Sequence, residues 1–151
     1  MKLAIINNTS KGTSGGYIKY LANILPRLDK SAQVHSVLVL SPLFYKFSFK
    51  NLLSNKFVFK TFKPLSIFYG YRCSSELKSL LDKFLPDVIF IPNERFIYYK
   101  KIPTIIMVRN MEPFKFFLNN TFKQKIINYI KYLSTIRNCR KSTKIIAVSN
   151  Y

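Results

Sequence analysis

Lys2-Leu3-Ala4-Ile5-Ile6-Asn7-Asn8, followed by Thr9-Ser10-Lys11-Gly12-Thr13-Ser14-Gly15-Gly16, decides how the chain is read. The first seven residues are a short, unbroken apolar run closed by asparagines. Such a run marks a strand buried on both faces, because a half-solvated strand would alternate apolar and polar residues. The next eight form a turn. Tyr17, Leu21, Ile24, Leu25 and Leu28 then recur at helical spacing. Pro26 lies inside that pattern and predicts a kink or an early end near Leu25. Val34 to Leu40 (VHSVLVL) is a second buried strand. Strand, helix and strand in this order make a βαβ unit, whose right-handed crossover implies a parallel sheet.

Outward from this unit the alternation continues. Phe57 to Phe62 reads as a third strand, and Cys73, Leu77, Leu80, Leu81 and Phe84 mark a helix that stops before Pro86. Asp87 to Ile91 (DVIFI) and Thr104 to Val108 (TIIMV) are two further buried strands. Phe122, Ile126, Ile130 and Leu133 mark a long helix, with Asn120 or Thr121 as its cap. Lys144 to Val148 (KIIAV) is a final strand. The fold class is therefore α/β, a doubly wound, mostly parallel, Rossmann-like sheet. The last strand reads as a central one still in want of its covering helix. Residues 1–151 are thus expected to be an incomplete, truncated domain.

The chain of 151 residues suffices for one domain with a core, and 48% of it is apolar, which excludes disorder. Lys and Arg number 25 against 6 Asp and Glu, a formal charge of +19. An AT-rich coding bias would enrich Lys and Phe, but acidic residues as well to some degree. The asymmetry leaves open an anionic membrane surface, nucleic acid, phosphorylated substrates, or compositional drift. Cys73 and Cys139 stand far apart with no partner at metal-ligand spacing, so they read as reduced, packed thiols, and no metal site is expected. His35 falls inside the second strand, where a packed or edge role is expected. No signal peptide opens the chain, and no apolar run approaches the roughly 20 residues that span a bilayer. A cytoplasmic location, soluble or peripheral at the membrane, is expected.

Between Leu43 and Arg72, Phe44, Tyr45, Phe47, Phe49, Phe57, Phe59, Phe62, Phe68, Tyr69 and Tyr71 interleave with lysines. That mixture suits the headgroup region of an anionic leaflet. It would also stack single-stranded nucleic acid, and it describes an ordinary half-buried strand equally well.

Ligands of doubly wound sheets bind beyond the carboxyl ends of the strands. Asn7 and Asn8 follow the first strand, Asn93, Glu94 and Arg95 the fourth, Arg109 and Asn110 the fifth, Ser149 and Asn150 the last. Turn chemistry explains Asn and Ser at such places but not Glu94, Arg95 or Arg109. Gly15 and Gly16 open the first helix directly after the first strand, where bare backbone N–H groups and the helix dipole can meet a phosphate or sugar oxygen. The pattern G-x-x-G-G matches neither the dinucleotide nor the phosphate-loop fingerprint, so a plain tight turn stays open.

A strand, a loop ending in Gly15-Gly16 and an immediate amphipathic helix resemble the start of glycosyltransferase family four. So do Pro86-Asp87-Val88-Ile89-Phe90 with Ile102-Pro103-Thr104 through Pro113-Phe114, and the closing Lys144-Ile145-Ile146-Ala147-Val148-Ser149. Three separated matches in the family's order cover nearly the whole chain. The resemblance implies the N-terminal half of a GT-B architecture, with a C-terminal donor-binding half absent. It implies a hexosyltransferase-type enzyme of polysaccharide biosynthesis, moving a sugar from a nucleotide-sugar to a glycan or lipid-linked acceptor. This half by itself would be inactive. No cofactor is implied beyond the nucleotide-sugar co-substrate. Glu94, Arg95, Arg109 and Asn110 would line the acceptor pocket, and Gly15 and Gly16 would approach the donor phosphates; the catalytic residues stay unassigned. Many relatives carry a His where Arg109 stands, so a His-dependent role does not transfer. Arg109 would instead clamp a phosphate or sugar acid. The rival reading is a non-catalytic, basic α/β module that binds membrane or nucleic acid.

Overall fold

A computed structural model describes residues 1–8, 15–42, 53–63, 73–109 and 121–147. Nine elements follow one another within them: β1 (Lys2–Ile6), α1 (Gly15–Lys30), β2 (Ser36–Leu40), β3 (Phe57–Lys60), α2 (Ser75–Phe84), β4 (Val88–Ile91), β5 (Thr104–Val108), α3 (Phe122–Lys141) and β6 (Lys144–Ala147). The six strands form one sheet in the order β3-β2-β1-β4-β5-β6. Every neighbouring pair is parallel. This is the strand order of dinucleotide-binding folds, and its direction of winding reverses between β1 and β4.

A parallel sheet must be covered on both faces, and at its centre this one is. Along β1, Leu3 and Ile5 point to one side and Ala4 and Ile6 to the other. Leu3 and Ile5 pack with Tyr17, Leu21 and Leu25 of α1 and with Val37, Val39, Phe57, Phe90 and Met107 of the sheet. Ala4 and Ile6 pack with Leu77 and Leu81 of α2, with Leu38, Leu40, Ile89, Ile91 and Ile106, and with Phe96, Ile97 and Tyr99. Those last three belong to the β4–β5 connection, residues 92–103. Within it no helix forms, and buried aromatic and aliphatic side chains cover the sheet in a helix's place.

Several local expectations are corrected. α1 does not end near Leu25 but continues past Pro26 to Lys30. Pro26 deprives the helix of one hydrogen bond, to the Ala22 carbonyl, while the buried Leu25 and half-buried Leu28 hold the last turn against the sheet. His35 precedes β2 and is exposed, with Nδ1 3.1 Å from the N-terminal amine. Phe57 and Phe62 are buried and Phe59 half-buried, so this part of the Leu43–Arg72 stretch is a core strand and offers no membrane rings. Lys56 next to it is tied to Asp29 and to the Asp29 carbonyl. The remaining aromatics of that stretch, Phe44 to Phe49 and Phe68 to Tyr71, lie outside the described residues.

α2 begins at an N-cap, Ser74, whose side chain accepts from Leu77 N, and ends at Leu85 in the left-handed region at φ 53°. That single residue closes the helix with a bond from its N–H to the Leu81 carbonyl, after which Pro86 prevents continuation. Cys73 and Cys139 are free and half-buried against the α2-side core, and burial pushes the Cys73 thiol up to about 11.

The largest departures are at the end of the chain. Among the described residues β6 stands at the sheet's edge, and all four of its residues are exposed. α3 starts at Thr121 with a complete capping box to Gln124. Yet its periodic apolar residues do not pack on the sheet. Phe122, Ile126, Tyr129, Ile130 and Leu133 are exposed, while Thr135 and Asn138 are the residues buried.

Leu21 is fully buried between α1 and the sheet. Leu21→Ala is expected to cost about 2–5 kcal/mol of unfolding free energy, read from urea melts with an unchanged slope.

Candidate functional site

The reversal between β1 and β4 places two strand ends side by side, each followed by amides and charges. Asn7 and Ser41 are buried at the ends of β1 and β2. Asn7 Nδ2 donates to Ser41 Oγ at 3.2 Å, and its backbone N–H continues the ladder to the Leu40 carbonyl. Across the reversal, Asn93 turns the chain after β4. Its Oδ1 accepts from Arg95 N at 2.9 Å, an Asx turn that also bends Glu94 and Arg95 over the strand ends. The Asn93 carbonyl accepts from Met107 N, which fastens the same turn to β5.

Arg95 is the link between the two sides. Its Nη1 donates to the Asn8 carbonyl at 2.6 Å, joining residues 87 positions apart. The side chain is half-buried, and burial lowers its pKa while the neighbouring Glu94 raises it. A guanidinium keeps its charge under such a shift, so a desolvated cation stands at the switch point with part of its fork committed to the backbone. Asn93 is 8% exposed, and its Nδ2 has no hydrogen-bond partner among the described residues. A buried donor of this kind costs free energy until something accepts from it.

Arg109 follows β5, one strand further on, and is half-buried with its guanidinium over the Tyr20 ring at 5.8 Å. Tyr20 lies on α1, and its phenol is pushed up by burial, with Arg109 acting against the rise. The contact fixes the arginine on the α1 side by cation–π attraction while leaving its N–H fork for another partner. Gly15 and Gly16 are the first two residues of α1, the helix that rises from the β1 end of the switch point. Its first turn contains no acidic residue. The N–H groups of that turn and the positive end of the helix dipole so meet no carboxylate from within the helix's first turn.

Of the residues singled out in the sequence, Arg95, Asn7, Asn8 and Asn93 are thus brought together at the switch point, and Arg109 is joined to α1. Glu94 is held through its backbone. Its backbone carbonyl accepts from Asn138 Nδ2 of α3 at 2.7 Å, a contact that spacing along the chain could not reveal. Asn110, Ser149, Asn150 and the loop before Gly15 lie outside the described residues. Among the described residues no group of His, Cys, Asp and Glu is arranged to hold a metal ion.

A cavity of about 390 Å³ opens elsewhere, lined by Tyr98, Lys100, Lys101, Ile102, Lys141 and Thr143 among others. It sits at the amino ends of β5 and β6, the wrong edge for ligand binding in this topology. Its Lys100 is already paired to Asp82 at 2.6 Å, and Tyr99 donates to the same carboxylate at 2.7 Å. These two donors hold the Asp82 carboxyl below its usual range. No family model, curated protein or solved structure matches the chain.

Asn138→Ala removes the tie between α3 and the Glu94 carbonyl. The expected loss is about 1–3 kcal/mol of stability in urea melts, with faster amide exchange in residues 93–95.

Proposed function

We propose that this chain is the acceptor-side, N-terminal half of a glycosyltransferase of the hexosyltransferase type. It would take part in moving a sugar from a nucleotide-sugar to a phosphorylated glycan or lipid-linked acceptor, as in polysaccharide biosynthesis at the cytosolic face of a membrane. The observation that carries the reading is the convergence at the β1/β4 switch point. The turn after β4 carries the unpartnered Asn93 amide and Arg95, which bonds to Asn8 after β1; α1 opens with two glycines on the β1 side, and Arg109 follows the next strand. All are donors or cations, the groups that recognise phosphate and sugar oxygens.

In this reading Arg109 and Arg95 hold the acceptor's anionic group, and Glu94 and Asn110 complete its pocket. The first turn of α1, through Gly15 and Gly16, approaches the donor phosphates. The donor nucleotide-sugar is bound by a second half that these residues do not include, and an anionic membrane surface is a partner. The charge of +19 sustains one rival, a non-catalytic basic module that binds nucleic acid or membrane.

The test begins with the 151-residue chain, in calorimetric titrations with a lipid-phosphate-linked sugar, a sugar-nucleotide panel and single-stranded DNA. Acceptor binding without sugar-nucleotide turnover is expected. Arg109→Ala should weaken the acceptor by about 30-fold or more, the scale of a lost charged contact of 2–5 kcal/mol. Tight DNA binding with no acceptor binding would transfer the case to the rival. In a protein joining both halves, Gly16→Val is expected to abolish transfer while leaving the melting curve nearly unchanged, because a side chain there blocks close backbone approach. Wild-type rates in that variant would reduce the loop to a turn.

A further inference from the structure

The outward face of α3 has an unusual chemistry. At about 100° per residue, Phe122, Ile126, Tyr129, Ile130 and Leu133 fall on one stripe of three turns. Their exposures are 80%, 46%, 51%, 59% and 48%, while the opposite side turns Thr135 and Asn138 inward. The helix is therefore mounted with its polar side on the domain and its apolar side out. Its cations are Lys123, Lys125, Lys131, Arg137, Arg140 and Lys141, all exposed, and it has no acidic residue. On the helical wheel Lys123 and Lys125 flank the stripe on its two sides, and Arg137 and Arg140 continue it through the last turns.

From this we infer that α3 is an interfacial anchor whose stripe embeds in an anionic lipid leaflet. The inference rests on the membrane partner named above and assigns the surface that meets it. Charge complementarity selects the occupant. A second copy docked along the stripe would bring Lys123, Lys125, Arg137 and Arg140 against the same four cations, with no carboxylate on either helix to answer them. From Pro113 to Tyr151 the sequence contains no Asp or Glu at all. A leaflet rich in anionic lipid meets both demands at once, because its acyl boundary takes Phe, Ile and Leu while its phosphates take Lys and Arg. The flanking lysines reach those phosphates with their stems along the apolar stripe. No described helix is long and apolar enough to cross the bilayer, so the helix lies in the interface plane.

The chain contains no Trp, so a single introduced indole reports its own surroundings. Ile130→Trp on the stripe is compared with Tyr98→Trp, a site 60% exposed in the β4–β5 connection. The 151-residue chains are mixed with vesicles rich in phosphatidylglycerol, with brominated phosphatidylcholine as quencher, and with phosphatidylcholine alone. With the anionic vesicles the emission of the Ile130→Trp chain should shift to the blue and be quenched, and that of the Tyr98→Trp chain should not. Ile130→Ser with Leu133→Ser should lower the partition coefficient by about tenfold for each side chain and remove the fraction that resists high salt. The circular dichroism and urea midpoint should hold, since neither residue is buried. If the Ile130→Trp chain sediments with anionic vesicles yet its indole stays unquenched, α3 is the wrong surface and the membrane partner survives. If the chain does not bind them at all, both readings fall. A blue shift of the Ile130→Trp chain that grows with protein concentration in the absence of vesicles would overturn the anchor in favour of a second copy.

Discussion

Everything else in this fold hangs on β1 being paired on both sides, to β2 along its whole length and to β4 from Leu3 to Ile5. Ala4, Ile5 and Ile6 are wholly inaccessible, so the strand can exist only if both faces of the sheet are covered. α1 covers one face and α2 with the β4–β5 connection covers the other. The connections leaving β1 and β4 therefore diverge to opposite sides, and in a doubly wound fold the ligand crevice is the space between them, above the strands' carboxyl ends. The position of the candidate site is a consequence of that pairing. No special loop is needed to create it, and Arg95 bridging to Asn8 closes the base of the crevice.

The sequence could be read where information was local. β1, α1 and β2 were legible because strands buried on both faces are unbroken apolar runs and α1 has one clean apolar stripe. Pro26 misleads because a proline rule counts a lost hydrogen bond and is blind to the packing of Leu25 and Leu28 beyond it. Phe57 and Phe62 mislead in the opposite way, since an aromatic strand interleaved with lysines has the same pattern whether it meets lipid or core. α3 is the clearest case. Periodicity fixed the existence of the stripe from Phe122 to Leu133, and it says nothing of which way the stripe points. That direction is decided by Asn138 reaching Glu94 and by the burial of Thr135, contacts set in three dimensions. The strand-end rule likewise found Arg95, Arg109 and the asparagines, but not the bond from residue 95 to residue 8 or the seat of Arg109 on Tyr20.

What the crevice can do follows from its groups. The loops after β1, β4 and β5 present amides and two guanidiniums, and Glu94 is the one carboxylate among their described residues. Guanidiniums bind and orient anions but do not exchange protons near neutral pH. Groups of this kind are suited to electrostatic holding of an anion. Partial burial of both arginines strengthens that holding, because each is less screened than a surface cation would be.

Geometry also ties the crevice to the outward stripe of α3. Twenty helical residues extend about 30 Å, whereas the five residues of β5 extend about 16 Å. The helix returns the chain to the amino edge of the sheet, where Thr143 bonds to Thr104 just before β6, and its buried residues lie in its second half. Its first three turns must then run on past the carboxyl edge, the edge that holds Arg95 and Arg109. Embedding the stripe in a leaflet would bring that edge toward the headgroups. A lipid-linked acceptor carries its phosphate at the same depth, so it could enter the crevice while its chain stays in the bilayer. Anchor and site are separate proposals, but the length of α3 makes each the more economical for the other.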